Sequence, residues 1–584
     1  MKQEIAKSVE KALDNLGITQ ITPKKGFNID YPDNLEHGDF SCNAAMAYFK
    51  VFSQAVNSKT NDGTVWVGKN SNFKSTVELA NSIKAELEKD LLPFVESVSV
   101  AGPGFINFKV KDAAFAEMIV KGEQKEVKGS SKQVMVEYTD PNPFKVFHIG
   151  HLMSNAIGES ISRLVESGGA DVIRACYQGD VGLHVAKTIW AIQKKGMTVA
   201  DAKGSVTEKV KWLGEMYVHG SQFDEDEAAK KEIAAVNKKI FEKSDPAINE
   251  IYENGRKWSL EYFDTIYKRL GTEFKQFFFE SEVADDGVKV VREFLGKSIF
   301  TESEGAIVFK GEDHGLHTRV FITSQGLPTY EAKEIGLNIE KFRKYSKLDE
   351  SIIITANEQN DYFKVLLKAF SLIDQNIFTK TKHISHGIMR FAAGKMSSRK
   401  GNIISAEELI SDIKTLVTEK IADRELPADE KEEIADAVAI GAIKYTILRQ
   451  ATGGDVIFDS ASSISFEGDS GPYLQYATVR ANAVLGKAAG NPKVDALPEQ
   501  VTMLEKLLSR SADIKERARM EYAPQHIAQY LMALAGAFNG YYAVHQIVDD
   551  KDSLSPYRIA LTKKFVETMT DGLWLLGIKV PKRM

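Results

Sequence analysis

Residues 134–151, VMVEYTDPNPFKVFHIGH, constrain the fold of this chain more than any other stretch. A short, mostly apolar run, VMVEY at 134–138, meets a turn rich in proline and asparagine, and a helical pattern opens near His148. An apolar run of that length bounded by turn residues reads as a strand buried in a parallel sheet. Residues 171–180, DVIRACYQGD, then supply a second strand and a glycine-bearing turn before another helix. Strand, loop, helix, strand is the opening of a doubly wound nucleotide fold, so an α/β Rossmann-type parallel sheet is expected.

The rest of the chain is organised around that sheet. Residues 1–125 read as a small α+β unit: a first helix, the segment HGDFSCNAAMAYFK at 37–50, a helical run at 75–91, and strands either side of a Gly-Pro-Gly turn at 102–104. The polar stretch at 125–132 is a linker candidate. The catalytic unit is expected at 126–404. Within it, residues 188–297 are charged and helical with no comparable strand signal, so a helical insertion is placed at about 190–297. Strands resume at GAIVFK, TRVFIT and SIIITA. Residues 405–584 are almost wholly helical and read as a separate α-helical bundle.

Composition excludes several classes. Of 584 residues 43% are apolar and 27% charged, the balance of a chain that buries several cores. Two cysteines far apart, Cys42 and Cys176, build neither a disulfide framework nor a four-cysteine zinc site. The first residues carry acids in a helical pattern, unlike a signal or transit peptide, so a cytoplasmic location is expected. No window reaches the roughly 18 consecutive apolar residues of a membrane helix. A net charge of −6 argues against coating nucleic acid by overall basicity, while leaving room for local basic patches.

Two motifs carry chemistry. His148-Ile149-Gly150-His151 stands where the first strand hands over to a helix. A helix N-terminus offers unpaired N–H groups and partial positive charge to phosphates, and two imidazoles three residues apart share its first turn. Gly150, without a side chain, lets an adenine or ribose approach the backbone. The second motif, GKMSSRKG at 394–401, brings Lys395, Met396, Ser397 and further cationic and hydroxyl groups onto a loop after the nucleotide fold. Such a loop can deliver positive charge to a transferring nucleotidyl group. Taken singly, the histidines also fit a metal pair or surface histidines, and the loop also fits a solvated basic turn.

Together and in this order, the two motifs resemble the signatures of class I aminoacyl-tRNA synthetases. VEYTDPNPFKVFHIGHL at 136–152 is similar to the signature of arginyl-tRNA synthetases, and the likeness continues through YQGDVG, LPTYEAKEIG, ANEQNDYF, SFEGDSGPYLQYATVR and the terminal LLGIKVPKRM. HGDFSCN and AGPGFINF match the small leading domain of that family. The resemblance implies ATP as substrate with Mg2+, L-arginine and tRNA(Arg) as partners, and a monomer. It implies an arginine pocket of Glu137, Asn142, Tyr330, Glu334 and Gln359, ATP held by His148, Gly150, His151, Lys395, Met396 and Ser397, and catalysis by His148, His151 and Lys395. Contacts to tRNA are implied for Phe40 and Asn43 in the leading domain and for Tyr473, Tyr476 and Arg480 on one helical face. Independently, a guanidinium presents five donors in a planar fork and stays charged, so its pocket should offer carboxylates.

Three positions depart from the family pattern. Glu334 stands where aspartate is commoner, Val181 where a tryptophan is usual, and Met153 where an arginine commonly follows HIGH-Leu. Rival expectations are another class I synthetase, such as that for cysteine or glutamate, a smaller nucleotidyltransferase, and a non-catalytic RNA-binding paralogue. Zinc-dependent members of the first group need thiolates that this chain lacks. A small transferase needs no long helical C-terminal region.

Overall fold

The computed structural model describes residues 1–18, 26–32, 34–49, 73–122, 131–392, 404–488, 490 and 492–584. The chain divides into two compact units, neither of them contiguous: Met1–Gln124 with Val484–Arg510 and Gly540–Phe565, and Lys125–Ala483 with Ser511–Asn539 and Val566–Met584. Parts of the C-terminal helical region therefore group with the leading domain instead of forming one consecutive block.

In the first unit a four-stranded antiparallel sheet runs in the order Ile29–Asp30, Phe40–Cys42, Phe105–Val110, Val95–Ala101. The last two strands form a hairpin across the Gly-Pro-Gly turn, where Gly102 and Gly104 take positive φ. The helices Lys2–Asn15 and Thr76–Lys89 bury Ile5, Val9, Leu13, Leu79, Ile83 and Leu87 in one core with the sheet's inward residues. The spacing of these apolar residues is the one-faced helical stripe that such packing requires.

The second unit holds a five-stranded parallel sheet: β1 (Gln133–Glu137), β2 (Asp171–Gln178), β3 (Gln276–Phe279), β4 (Leu348–Ala356) and β5 (Thr381–His386), in the spatial order β5-β4-β1-β2-β3. The chain builds outward from β1 to β3, then returns to place β4 on β1's other side. The strand order thus reverses between β1 and β4, and the crevice beyond their carboxyl ends is where doubly wound sheets bind ligands. Helix α1 (Ile149–Ser167) starts there and buries nearly its whole length. Its back is tied to the C-terminal helical region through Ser160 Oγ, which donates to the carbonyl of Leu575 at 2.8 Å.

One expectation is corrected, and the three strands expected after the insertion all form. The stretch read as helical insertion contains β3, an edge strand of the parallel sheet; QFFF is too short, and lacks the alternation and β-branching, to announce itself by pattern. Of the strands at GAIVFK, TRVFIT and SIIITA, only the last enters the parallel sheet. Ala306–Phe309 and Arg319–Ile322 pair antiparallel in a separate three-stranded sheet with Thr301–Ser303.

Helices α2 (Glu280–Leu295) and α3 (Tyr330–Lys344) approach so closely that their backbones touch through glycine. A methyl at Gly287 would fall on the carbonyl oxygen of Ala332, and one at Gly336 on that of Val283. Both obstacles are backbone, which cannot swing aside. Gly336→Ala should therefore destabilise the second unit by about 1–3 kcal/mol through forced displacement of the two helices. Thermal unfolding checks this by a lowered midpoint; an unchanged midpoint would mean that the helices part without penalty.

Candidate active site

The site is built on the loop between β1 and α1, whose backbone is strained. Thr139, Asp140 and Phe144 have φ of 80°, 44° and 70°, a region that side chains other than glycine rarely adopt. Each strained residue is held by a named bond. Thr139 N–H donates to Ser154 Oγ at 2.9 Å, Asn155 Nδ2 donates to Thr139 Oγ1 at 3.1 Å, Asp140 Oδ1 accepts from Tyr177 N–H at 2.7 Å, and Phe144 N–H donates to Ser259 Oγ at 2.9 Å. Ser154, one turn beyond His151, also donates to the carbonyl of Ile354 on β4 at 3.3 Å. The first turn of α1 is thereby pinned to both strands that flank the crevice.

His148 is the N-cap of α1. Its Nδ1 accepts from Gly150 N–H at 3.1 Å, and His148 N–H donates to His151 Nδ1 at 3.3 Å. The two rings stack with centroids 3.6 Å apart. Burial, then the charge of Lys145, pushes His148 down to about 4; burial, then His148 and Lys145, holds His151 well below the ordinary imidazole value. Both rings are therefore neutral near neutral pH, and with Nδ1 accepting, each carries its proton on Nε2. The pair therefore offers N–H donors rather than charges. Gly150 has a second use beyond admitting a nucleotide: a Cβ there would lie 2.9 Å from His148 Cε1, so its absence lets the imidazole fold back over the helix end.

Glu137, the last residue of β1, is 1% exposed and lies 2.8 Å from the ammonium of Lys341, itself fully buried on α3. Glu334, on the same face of α3 two turns earlier, is also buried and accepts from Asn338 Nδ2 at 3.2 Å. Burial, and after it the charge of Glu137, drives the Glu334 carboxyl up to about 8. Asp140 is likewise raised, by burial and then by Glu137. Glu280, at the start of α2, is paired with Lys333 at 2.6 Å. Asn142 reaches the same place, since a Cβ on Gly179 would fall on Asn142 Oδ1 and lie 3.2 Å from Glu280 Oε1.

The structure thus gathers Glu137 and Glu334 with Lys341, and Asn142 with Glu280, while the histidine pair caps α1 at the end of the loop that follows Glu137. Tyr330 opens α3, is 62% exposed, and its carbonyl accepts from Tyr362 Oη at 3.2 Å. Gln359 is exposed on the 3-10 turn that follows β4. Lys395, Met396, Ser397 and the rest of GKMSSRKG lie outside the described residues. The segment following them is nonetheless fixed: Ile149 N–H donates to the carbonyl of Ile404 at 3.3 Å and Ala406 N–H to that of Phe147 at 2.9 Å. On the preceding side, Ala392 N–H donates to the carbonyl of Phe458 at 3.0 Å. Val181 and Met153, the departures from the family pattern, are both buried.

Sequence reasoning missed Lys341, Asp140, Glu280, Lys333 and Asn338. A signal existed for one of them: Asn338 stands four residues after Glu334, on its face of the helix. Among the proposed RNA contacts, Phe40 is corrected, because its ring is 2% exposed, packs beside Tyr31 and belongs to the core. Asn43 Oδ1 accepts from Asn28 N–H at 2.7 Å. Tyr473, Tyr476 and Arg480 do share one half-buried face, with the guanidinium 4.6 Å from the Tyr476 ring and Asn539 bridging Arg480 and Tyr473 at 3.1 and 2.8 Å. Among the described residues no three His, Cys, Asp or Glu side chains cluster to hold a metal.

The histidine geometry has a pH signature. His148 binds its proton at about 4 in the folded chain but near the ordinary imidazole value when unfolded, so the unfolded state takes up the proton first on acidification. Stability from this group is full above roughly pH 6.5 and is lost as pH falls toward about 4. A titration of the His148 ring by NMR with labelled histidine, assigned with His148→Gln, should give a midpoint near 4; a midpoint near 6.5 would contradict the burial described.

A family model described as tRNA synthetases class I (R), catalytic domain, matches residues 114–460; the arginyl tRNA synthetase N terminal domain matches 2–110, and the DALR anticodon binding domain matches 474–584. An arginine–tRNA ligase of Clostridium perfringens is 30% identical over 523 residues, covering 86% of this chain and 91% of its own length, and one from Limosilactobacillus reuteri is 28% identical over the whole of both chains, 100% of each. Two solved structures share the fold: the arginyl-tRNA synthetases of Thermus thermophilus, at TM-score 0.81 and 22% identity over 100% of both chains, and of Plasmodium falciparum, at 0.77 and 17% over 100% of this chain and 99% of that one. With the catalytic model spanning more than half of its length and a relative 30% identical over most of both chains, the chain belongs to the arginyl-tRNA synthetases of class I.

Proposed function

We propose that this chain, as an arginine–tRNA ligase, divides its labour between an acidic pocket and a neutral phosphate cradle. The carboxylate of L-arginine attacks the α-phosphorus of ATP in line, forming the arginyl-adenylate and releasing pyrophosphate. The nucleophile is already ionised, so no general base is needed. A hydroxyl of the 3'-terminal ribose of tRNA(Arg) then attacks the acyl carbon, forming the ester and releasing AMP. The observation that supports this best is the pair of buried, mutually interacting carboxylates, Glu137 at the carboxyl end of β1 and Glu334 on α3.

In this reading the two acids receive the guanidinium and Asn142 helps to place the amino acid, with Tyr330 and Gln359 at the rim. His148 and His151 donate through Nε2 to the phosphates, aided by the dipole at the start of α1. Lys395, with Met396 and Ser397 beside it, neutralises charge on the leaving pyrophosphate; its support is the motif and the anchoring of Ile404 against Ile149. Magnesium would accompany ATP and supply positive charge to its phosphates. Asn43 and the face of Tyr473, Tyr476 and Arg480 are the candidate RNA contacts, the tyrosines as stacking planes. Residues 126–404 would house the chemistry and 405–584 the reading of the tRNA. Buried free thiols at Cys42 and Cys176 fit a cytoplasmic, reducing setting.

Exchange of labelled pyrophosphate into ATP, run with each amino acid and with and without tRNA, should respond to arginine alone. Lys395→Ala should lower that rate by about 100-fold or more with little change in arginine affinity. Glu137→Gln should instead raise the KM for arginine. A near-normal rate in the first variant, or normal arginine binding in the second, would remove the corresponding assignment.

A further inference from the structure

We propose that Lys341 is a positioning residue for arginine selection: by engaging one oxygen of Glu137 it fixes that side chain and leaves the pocket able to take one further cationic side chain. This rests on the reading of Glu137 and Glu334 as the arginine-binding acids.

The charges in the crevice do not balance. Glu280 is matched by Lys333 at 2.6 Å and Glu137 by Lys341 at 2.8 Å. Glu334 has only the neutral amide of Asn338, and Asp140 only the backbone N–H of Tyr177. Among the described residues, then, Glu334 and Asp140 have no ion pair of their own, and Lys341 is the cation that acts on both. Lys341 is 0% exposed, and its Nζ makes no well-aligned hydrogen bond, nor does Glu137 Oε2, although the two are in contact. A buried ammonium with a purely structural task normally finds directed acceptors for its protons. This one has the Glu137 carboxylate at 2.8 Å as its partner, while Asn338 Oδ1 on the same helix is buried without a hydrogen bond among the described residues. That free amide oxygen beside Glu334 leaves an acceptor for a donor of a bound polar ligand.

The arrangement also explains how one pocket can hold several acids and remain selective. Glu334 is faced by Glu137 of β1, Asp140 of the following loop, Tyr177 of β2, Glu280 of α2, Tyr362, and Lys341 on its own helix. Lys341 is the cation in this set whose attraction favours ionised Glu334. With it, Glu334 can lose its proton and receive a guanidinium. Without it, the acids would share protons more tightly, and a cationic side chain would have to displace one. The sign is fixed: removing Lys341 makes arginine binding weaker at neutral pH and moves its recovery to higher pH.

The test is the pH dependence of KM and kcat for arginine, measured in aminoacylation with the full chain, its Lys341→Met, Lys341→Gln and Lys341→Arg variants, from about pH 6.5 to 9.5. Lys341→Met should raise KM near pH 7 by about tenfold for each pH unit that the acid titration moves upward. KM should fall again as pH rises, kcat should drop less than KM rises, and Lys341→Arg should restore most of the neutral-pH KM. Lys341→Gln, which keeps a buried donor without the charge, gives the same readout should the methionine variant fail to fold. An unmoved pH profile, or equal losses in KM and kcat at every pH with no rescue by arginine, would overturn the role of Lys341. If the unmodified chain charged no tRNA with arginine, the pocket reading itself would fall instead.

Discussion

The interaction on which the site depends is the contact between Glu137 at the end of β1 and Lys341 on α3. Neither charge could remain buried alone, because removing one partner of such a pair strands the other in a low-dielectric interior at a penalty of about 3–5 kcal/mol. The pair therefore fixes where α3 lies against the sheet. Once α3 is placed, Glu334 and Tyr330 are carried to the same crevice, and the glycine contacts between α2 and α3 bring Glu280 and Lys333 with them. A single ion pair thus sets the position of most of the acidic pocket.

The phosphate side is organised by a different constraint, the strained loop from Thr139 to Phe144. Three residues with positive φ are tolerated because each has a specific bond to α1, β2 or the helix bearing Ser259. Straightening the loop would swing His148 away from the carboxyl end of β1. The two halves of the site are therefore coupled through Ser154, which bonds both the strained loop and β4. Under the proposed function, that coupling would hold the amino acid and the nucleotide in register.

Much of this was legible in the sequence. The apolar strand at 134–138 followed by HIGH located the crevice, because a parallel sheet with its first helix leaves few alternatives, and the arginyl-tRNA synthetase likeness was borne out by the family comparison. Four features were not legible. β3 is four residues of aromatic sequence on a sheet edge, below what periodicity resolves. Phe40 reads alike as a stacking platform or a core ring, and only burial separates the two. Lys341 reads as one more charge on a charged helix until β1 supplies its partner from 204 positions away, a pairing that no local pattern encodes. The neutrality of the histidines likewise comes from tertiary burial rather than from their spacing.

The central claim is that a guanidinium is held between Glu137 and Glu334 while the carboxyl end of the amino acid faces the nucleotide cradle of α1. A crystal structure with a non-hydrolysable arginyl-adenylate analogue tests it most directly. The account predicts guanidinium nitrogens within hydrogen-bond reach of both carboxylates and the adenylate phosphate beside His148 and His151. A bound analogue with its side chain directed away from these acids, or with its phosphate remote from the start of α1, would contradict it.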